Sequence, residues 1–395
     1  MSYTKHKYEE IFKKNQTDFA KYIDTIIPIL PAEYTAQTII NYLKQYYPFE
    51  YSLLEEQYKY YNGADIKLVK VHKKRRYNPV EPNTFLERII RKKKLLTLTV
   101  LKHHKETFSK LIQEQRENEL KKVRLPRINK KRNKIDQARQ YVQMVGPAFL
   151  DKLMGFYDRK NASQKDKVYI LMELKKYYSP KTVRFFKKLT NSEYNFQLRE
   201  MAFYYLQSFG HFVELRKQKY MQIHTKNKRR RKRIKESGKI RYIIPETPKE
   251  LAYRINNQAK EQKYKNYDYF ISHSYKDFKS VQYLIDFLNY KKKNIYCDWI
   301  SDKDYLKRTL FCEDTVHILE QRIRQSHAVI FVSSVNSKSS YWVQRELKYA
   351  QKCGKEILEV DKEAITSKKI VLKKYKKMKG LSNEFYRVIY NYSCI

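Results

Sequence analysis

Trp342 and Glu346 stand four residues apart in "SSYWVQREL" (339–347), and they offer what a ligand cleft uses: a flat ring and an acid. Helical spacing sets them on one stripe with Tyr349. That stripe is rotated by about 100° from Val343, Leu347 and Ala350, which read as the core face. It is either a cleft wall or plain surface. Asp298, Asp302 and Asp304, close together in "DWISDKDYLKR" (298–308), form a second acidic group. A divalent ion is one use for them, but a solvated acidic loop is the expectation, and no metal site is assigned. His273, in "SHSYKD" (272–277), reads as a hydrogen-bonded loop histidine. Cys297, Cys312, Cys353 and Cys394 lack zinc-ligand spacing and read as reduced thiols, with Cys297 and Cys353 packed. Neither GxGxxG nor GxxxxGK[ST] occurs here, so neither common phosphate cradle is expected.

The elements that must position these residues begin at 267. Short apolar runs alternate with amphipathic helices: strand "YDYFIS" (267–272), helix "SVQYLIDFLN", strand "NIYCDW" (294–299), helix "TVHILEQRI", strand "AVIFVSS" (328–334), then the helix carrying Trp342 and Glu346. "KEILEV" is a fourth strand, and 361–395 is ambiguous. This order predicts a parallel, doubly wound sheet. Such sheets bind ligands outside the carboxyl ends of their strands. Those ends carry 272–277, 298–308 and "SSVNSKSS" (333–340), so the off-core stripe lies toward the ligand-binding edge.

"YDYFISHSYKD", "IYCDWISDKDYLKR", "RIRQSHAVIFVSS" and "SSYWVQREL", in this order, resemble a bacterial TIR (Toll/interleukin-1 receptor) domain. The resemblance implies a flavodoxin-like parallel sheet and cleavage of NAD at its nicotinamide–ribose bond. It implies Glu346 as the catalytic glutamate and Trp342 at the substrate cleft. Ser272, His273 and Ser274 after the first strand, and Asp298, Trp299 and Arg308 after the second, are implied to line that cleft. NAD is then a substrate, with no metal and no further cofactor. Association of TIR domains into a homo-oligomer is implied for activity, as is a role in defence against phage, through NAD loss or a nucleotide signal.

The rest of the chain is helical in pattern and strongly basic. Of 395 residues, 85 are Lys or Arg and 42 Asp or Glu, a net charge of +43. Residues 1–267 carry +34 of it, 268–360 only +3, and 361–395 the remaining +6. Such a field attracts polyanions. Segment 1–135 reads as a basic helical region whose 124–135 stretch is a connector. Segment 136–220 reads as helices resembling HEAT repeats, with Ser179 as N-cap and Pro180 at the first helical position. Segment 221–263, containing "KRRRKR" (228–233), reads as an exposed basic linker, and 264–360 as the TIR domain. No apolar run is long enough for a membrane span, and "MSYTKHKYEE" is not a signal peptide, so a cytoplasmic protein without membrane contact is expected. The fold class is therefore multidomain: a mostly α-helical N-terminal region plus a C-terminal α/β TIR domain. The expected function is NAD cleavage to nicotinamide and ADP-ribose or a cyclic product. In that reading the N-terminal region is a sensor or assembly module that meets nucleic acid or a phage protein. The alternative is a non-catalytic TIR interaction module on a nucleic-acid- or protein-binding helical protein.

Overall fold

The computed structural model describes residues 3–159, 161–215, 221, 223, 225–306 and 312–375. The chain divides into two compact units, one of 1–136 with 206–214, the other of 137–205 with 215–395. Among the described residues, no helix is long and apolar enough to cross a membrane.

The first unit is all helical: α1 (Tyr3–Ile26), α2 (Ala36–Tyr46), α3 (Pro48–Lys70), α4 (Pro82–Lys92), α5 (Leu98–Thr107) and most of α6 (Lys110–Arg139). Its core joins Phe19, Ile23 and Ile26 of α1 to Ile39, Ile40 and Leu43 of α2 and Phe85, Leu86 and Ile90 of α4. Thr35 starts α2 with a reciprocal Thr35–Thr38 capping box. The 124–135 stretch, expected as a connector, is instead continuous helix with Pro126 inside it. Proline costs a helix interior about 3 kcal/mol. Contacts on both sides of it offset that cost. Tyr46 donates to Glu117 at 2.6 Å, Arg124 donates to the Tyr46 carbonyl at 2.9 Å, and Lys131 lies 4.3 Å above the Phe49 ring.

The second unit opens with α7 (Phe149–Tyr157), α8 (Gln164–Leu174), α9 (Pro180–Ser192) and the greater part of α10 (Phe196–Ser208). Ser179 caps α9 in a capping box with Thr182, and Pro180 takes the first helical position, as the sequence indicates. Next come α11 (Lys228–Ser237), α12 (Pro248–Asn256) and α13 (Lys260–Lys263). The expectation of an exposed linker fails for 248–263. Leu251, Ala252, Arg254, Glu261 and Gln262 are buried, and α12 packs on α16 (Glu313–Arg324). Arg254 could be buried because its guanidinium is paired with Glu261, a partner that charge counting along the sequence does not reveal.

The sheet runs β1 (Tyr267–Ser272), β2 (Ile295–Tyr296), β3 (Ser326–Ser333), β4 (Glu356–Asp361) and β5 (Lys373–Lys374), in spatial order β2-β1-β3-β4-β5. The first four are parallel; β5, in the stretch left ambiguous by sequence, pairs antiparallel with β4. Strand alternation builds two cores. Ile271, Ile330 and Val332 face α14 (Phe278–Tyr290) and α19 (Lys362–Thr366). Phe270, Val329 and Phe331 face α16 and α18 (Tyr341–Lys352). The short helices α15 (Asp298–Ser301) and α17 (Val335–Lys338) sit at the carboxyl ends of β2 and β3. The order reverses between β1 and β3, so their carboxyl ends form the switch point where open α/β sheets bind ligands.

Candidate active site

Ser272 ends β1 at that switch point, fully buried, and its hydroxyl donates to Glu346 Oε2 at 2.6 Å. Glu346 projects from α18, whose Val343, Leu347 and Ala350 are buried as the core stripe. Rotation by one residue brings Glu346 to the end of β1 instead of into the core. The side chain keeps some exposure to solvent, but surrounding protein desolvates its carboxyl and pushes its pKa up to about 8. The Ser272 hydroxyl pulls against that shift, and the charge on Asp298 adds to it. A carboxyl at about 8 exchanges its proton close to neutral pH, unlike a surface glutamate. Leu347→Ala, one residue along, is expected to cost about 2–5 kcal/mol in denaturant unfolding, because it leaves a cavity in the core.

His273 follows Ser272 and is oriented at both ring nitrogens. Trp299 donates its indole N–H to Nε2 at 3.2 Å, and Nδ1 lies 3.2 Å from the Ile271 carbonyl. An indole only donates, so Nε2 is the acceptor and Nδ1 carries the proton. The reading of a hydrogen-bonded loop histidine describes this geometry. Trp299 is buried, in ring contact with both Phe278 and Tyr141. Asp298 stays half-exposed, with Oδ1 at 4.0 Å from His273 Nε2. Ser274 is turned to local structure: its Oγ accepts from the Lys276 N–H and caps the turn Tyr275–Asp277.

The structure thus brings together Ser272, His273, Asp298, Trp299 and Glu346. Trp342 lies one turn before Glu346, half-buried against the Phe270–Val343–Leu347 core, with its ring 6.0 Å from that of Tyr341. Arg308 lies outside the described residues. Cys297 is buried, as expected, while Cys353 is only half-buried. Among the described residues, the nearest approach to a metal-binding group is His273, Cys297 and Asp298, with ligand atoms within 4.8 Å of one another. Its His273 lone pair already accepts from Trp299, and burial pushes the Cys297 thiol up, holding it protonated. The group is organised as a hydrogen-bonded wall.

The expectation of a solvated acidic loop holds for Asp298 but fails for Asp302 and Asp304. Asp302 is fully buried, 2.8 Å from Arg322 Nε and 3.8 and 3.9 Å from Lys176 and Lys265. Glu173 accepts from Lys176 at 2.8 Å and forms an ion pair with Lys265 at 2.9 Å, and Asp304 pairs with Lys175 at 2.9 Å. Arg322 and the lysines hold the Asp302 carboxyl below the usual carboxylate range despite burial. Burial and the Arg322 charge push Lys265 down to about 8. The network ties helix α8 and its flank to the segment carrying Asp298 and Trp299. Sequence reasoning also missed Asp277. It joins three strand ends by accepting from Ser334, from Asn336 at 2.9 Å and from Lys362 at 2.8 Å. Its place in "SHSYKD" was the only available signal.

Comparison with known proteins adds to this geometry. A family model described as "Thoeris protein ThsB, TIR-like domain" matches residues 270–367. A protein of Cytobacillus dafuensis named "Putative cyclic ADP-D-ribose synthase TIR2" is 35% identical over 351 residues, 89% of each chain. A protein of Bacillus cereus (strain MSX-D12) named "Probable 3' cyclic ADP-D-ribose synthase ThsB'" is 34% identical over 110 residues, 26% of this chain and 56% of that one. No solved structure matches the chain.

Proposed function

The chain belongs to the ThsB-type TIR-domain family, and from that premise we propose that it cleaves NAD between nicotinamide and ribose in antiphage defence, as a cyclic ADP-ribose-type synthase or NAD hydrolase. The observation that carries the reading is the Ser272–Glu346 pair at the switch point of the sheet, on a chain whose full-length relative is named for this chemistry.

The chemistry follows from the residues. Breaking the bond from ribose C1′ to the nicotinamide nitrogen sends the electron pair out with neutral nicotinamide and leaves a cation shared between C1′ and the ring oxygen. A carboxylate facing that centre stabilises the developing positive charge, as carboxylates do in glycoside hydrolysis. Glu346 takes this role, held by the Ser272 hydroxyl. Nicotinamide leaves as a neutral molecule, so no acid is needed to protonate it. His273, Asp298 and Trp299 form the adjoining wall, and Trp342 and Ser274 shape its margins. Water then captures C1′ and releases a proton, giving ADP-ribose; capture by a nucleophile of the ADP-ribosyl group itself gives a cyclic product. Reaction in ¹⁸O-labelled water separates the two, because hydrolysis places one label in the product and cyclisation none. The relatives' names support the cyclic outcome, and a fully labelled linear product counts against it.

Association of TIR domains is part of the proposal, with activity rising with protein concentration. For the basic region, one observation favours a polyanionic partner. Arg229, Arg230 and Arg233 of α11 are exposed and line a groove of about 870 Å³ together with Arg159, Lys167 and Lys188. The lining acids Asp158 and Glu193 are paired with Lys188 and Lys167. Nucleic-acid binding there gives an affinity that falls with salt, by a log–log slope of about −0.9 per neutralised duplex phosphate. Changing the three arginines to glutamine is expected to flatten that slope; an unchanged slope removes this groove from the account.

A further inference from the structure

Tyr141 lies in the connection between α6 and α7, well before the sheet in sequence, yet its ring meets the site. It contacts Trp299 edge to face, with centroids 6.3 Å apart and planes at 81°. Lys303 Nζ sits 3.5 Å from the centroid of the same ring. Two residues of the segment after β2 therefore clasp it, and it packs on the apolar cluster that contains Ile271, Cys297 and Ile300.

The backbone behind Tyr141 is fixed. Gln143, buried, exchanges two side-chain hydrogen bonds with the main chain of Ile295 in β2, at 2.7 and 3.0 Å. Its own main chain pairs with the Lys176 carbonyl and the Tyr178 N–H, both at 2.8 Å. Tyr141 is thus the tip of a connection pinned to the sheet. Trp299 also meets the Phe278 ring, with centroids 5.0 Å apart. The indole N–H of Trp299 holds His273, and His273 adjoins the serine that holds Glu346.

We propose that Tyr141 is a positioning residue of the NAD site. Its ring, fixed to β2 through Gln143, packs on Trp299 and holds the indole that keeps His273 in place beside Ser272 and Glu346. Residues 137–205 are then a working part of the catalytic unit and not a detachable sensor. The kinetic side of this inference rests on the NAD-cleaving reading; the spectroscopic side does not.

The chain has two tryptophans, so Trp342→Phe leaves Trp299 as the sole indole reporter. In that background, in the full-length protein, Tyr141→Ala is expected to red-shift Trp299 emission and increase its quenching by acrylamide. Tyr141→Phe, which keeps the ring, leaves both unchanged. With Trp342 intact, Tyr141→Ala lowers kcat/KM for NAD about tenfold at matched folded fraction, since small misplacements near a reacting centre are costly, and Tyr141→Phe restores it. Unchanged Trp299 quenching in Tyr141→Ala overturns the proposal. So does equal damage from Tyr141→Phe, or a kinetic loss that only tracks the melting curve. If the unmutated chain releases no nicotinamide, the functional reading fails on its own, and the quenching comparison still decides the role of Tyr141.

Discussion

Glu346→Gln is expected to lower NAD cleavage by about 10²–10³-fold, the usual loss when one preorganised stabilising group is removed, and to leave the domain folded. The fold survives because the core face of α18 is Val343, Leu347 and Ala350, and Glu346 lies off it. Glutamine keeps the shape and can still accept from the Ser272 hydroxyl, so what is lost is the negative charge. The pH profile carries the same signature. With the carboxyl pushed up to about 8, the charged form grows as pH rises, and kcat/KM, which reports the free protein, rises with it and levels off above that value. Residual activity of Glu346→Gln lacks this limb. Stability moves the opposite way. The folded-state pKa is raised above the ordinary 4.5, so between 4.5 and about 8 the unfolded chain has released a proton that the folded chain still holds. Stability therefore falls as pH rises through that window, and the glutamine variant removes this contribution.

Asp302→Ala is expected to cost about 3–5 kcal/mol of stability, the usual penalty when one member of a buried ion network leaves its partners uncompensated. Arg322, Lys176 and Lys265 are buried with it. Without Asp302, the one carboxylate among the described residues in contact with the two lysines is Glu173, while Arg322 is left with the neutral side chains of Gln262 and Gln325. Chemical denaturation of the full-length protein measures the loss. Arg322→Met should cost a comparable amount, and the two changes together less than their sum, because the second removes a charge the first has orphaned. The depressed pKa of Asp302 sets the sign with pH. Its contribution is present above the ordinary carboxylate value of 3.8 and is lost as pH falls through the lower folded-state value. The same network links α8 to the Asp298–Tyr305 segment, so activity of surviving Asp302→Ala protein should fall by more than its folded fraction.

What the sequence made legible was local. Alternating strands and helices from 267 onward are short-range patterns, and they gave the parallel order and the strand ends that carry Ser272, Asp298 and Ser334. The core stripe of α18 followed from its 3.6-residue period, and with it the off-core direction of Glu346. What stayed hidden was long-range. Asp302 and Asp298 look alike in "DWISDKD", yet one is buried against Arg322 and Lys176 while the other stays half-exposed; partners 20 and 126 residues away decide between them. Residues 248–263 read as linker because their burial rests on two aliphatic residues and a paired arginine. The helix through Pro126 and the contact of Tyr141 with Trp299 depend likewise on tertiary contacts that no window of sequence contains.

The most direct test of the central claim is release of nicotinamide from NAD by the purified full-length chain, followed across protein concentrations beside Glu346→Gln. The account predicts nicotinamide and an ADP-ribose-type product in equal amounts from the unmutated chain, with turnover per molecule rising as concentration brings TIR domains together, and release slowed about 10²–10³-fold in the variant. Intact NAD at every concentration, or equal release by Glu346→Gln, would contradict it and leave this fold as an interaction module.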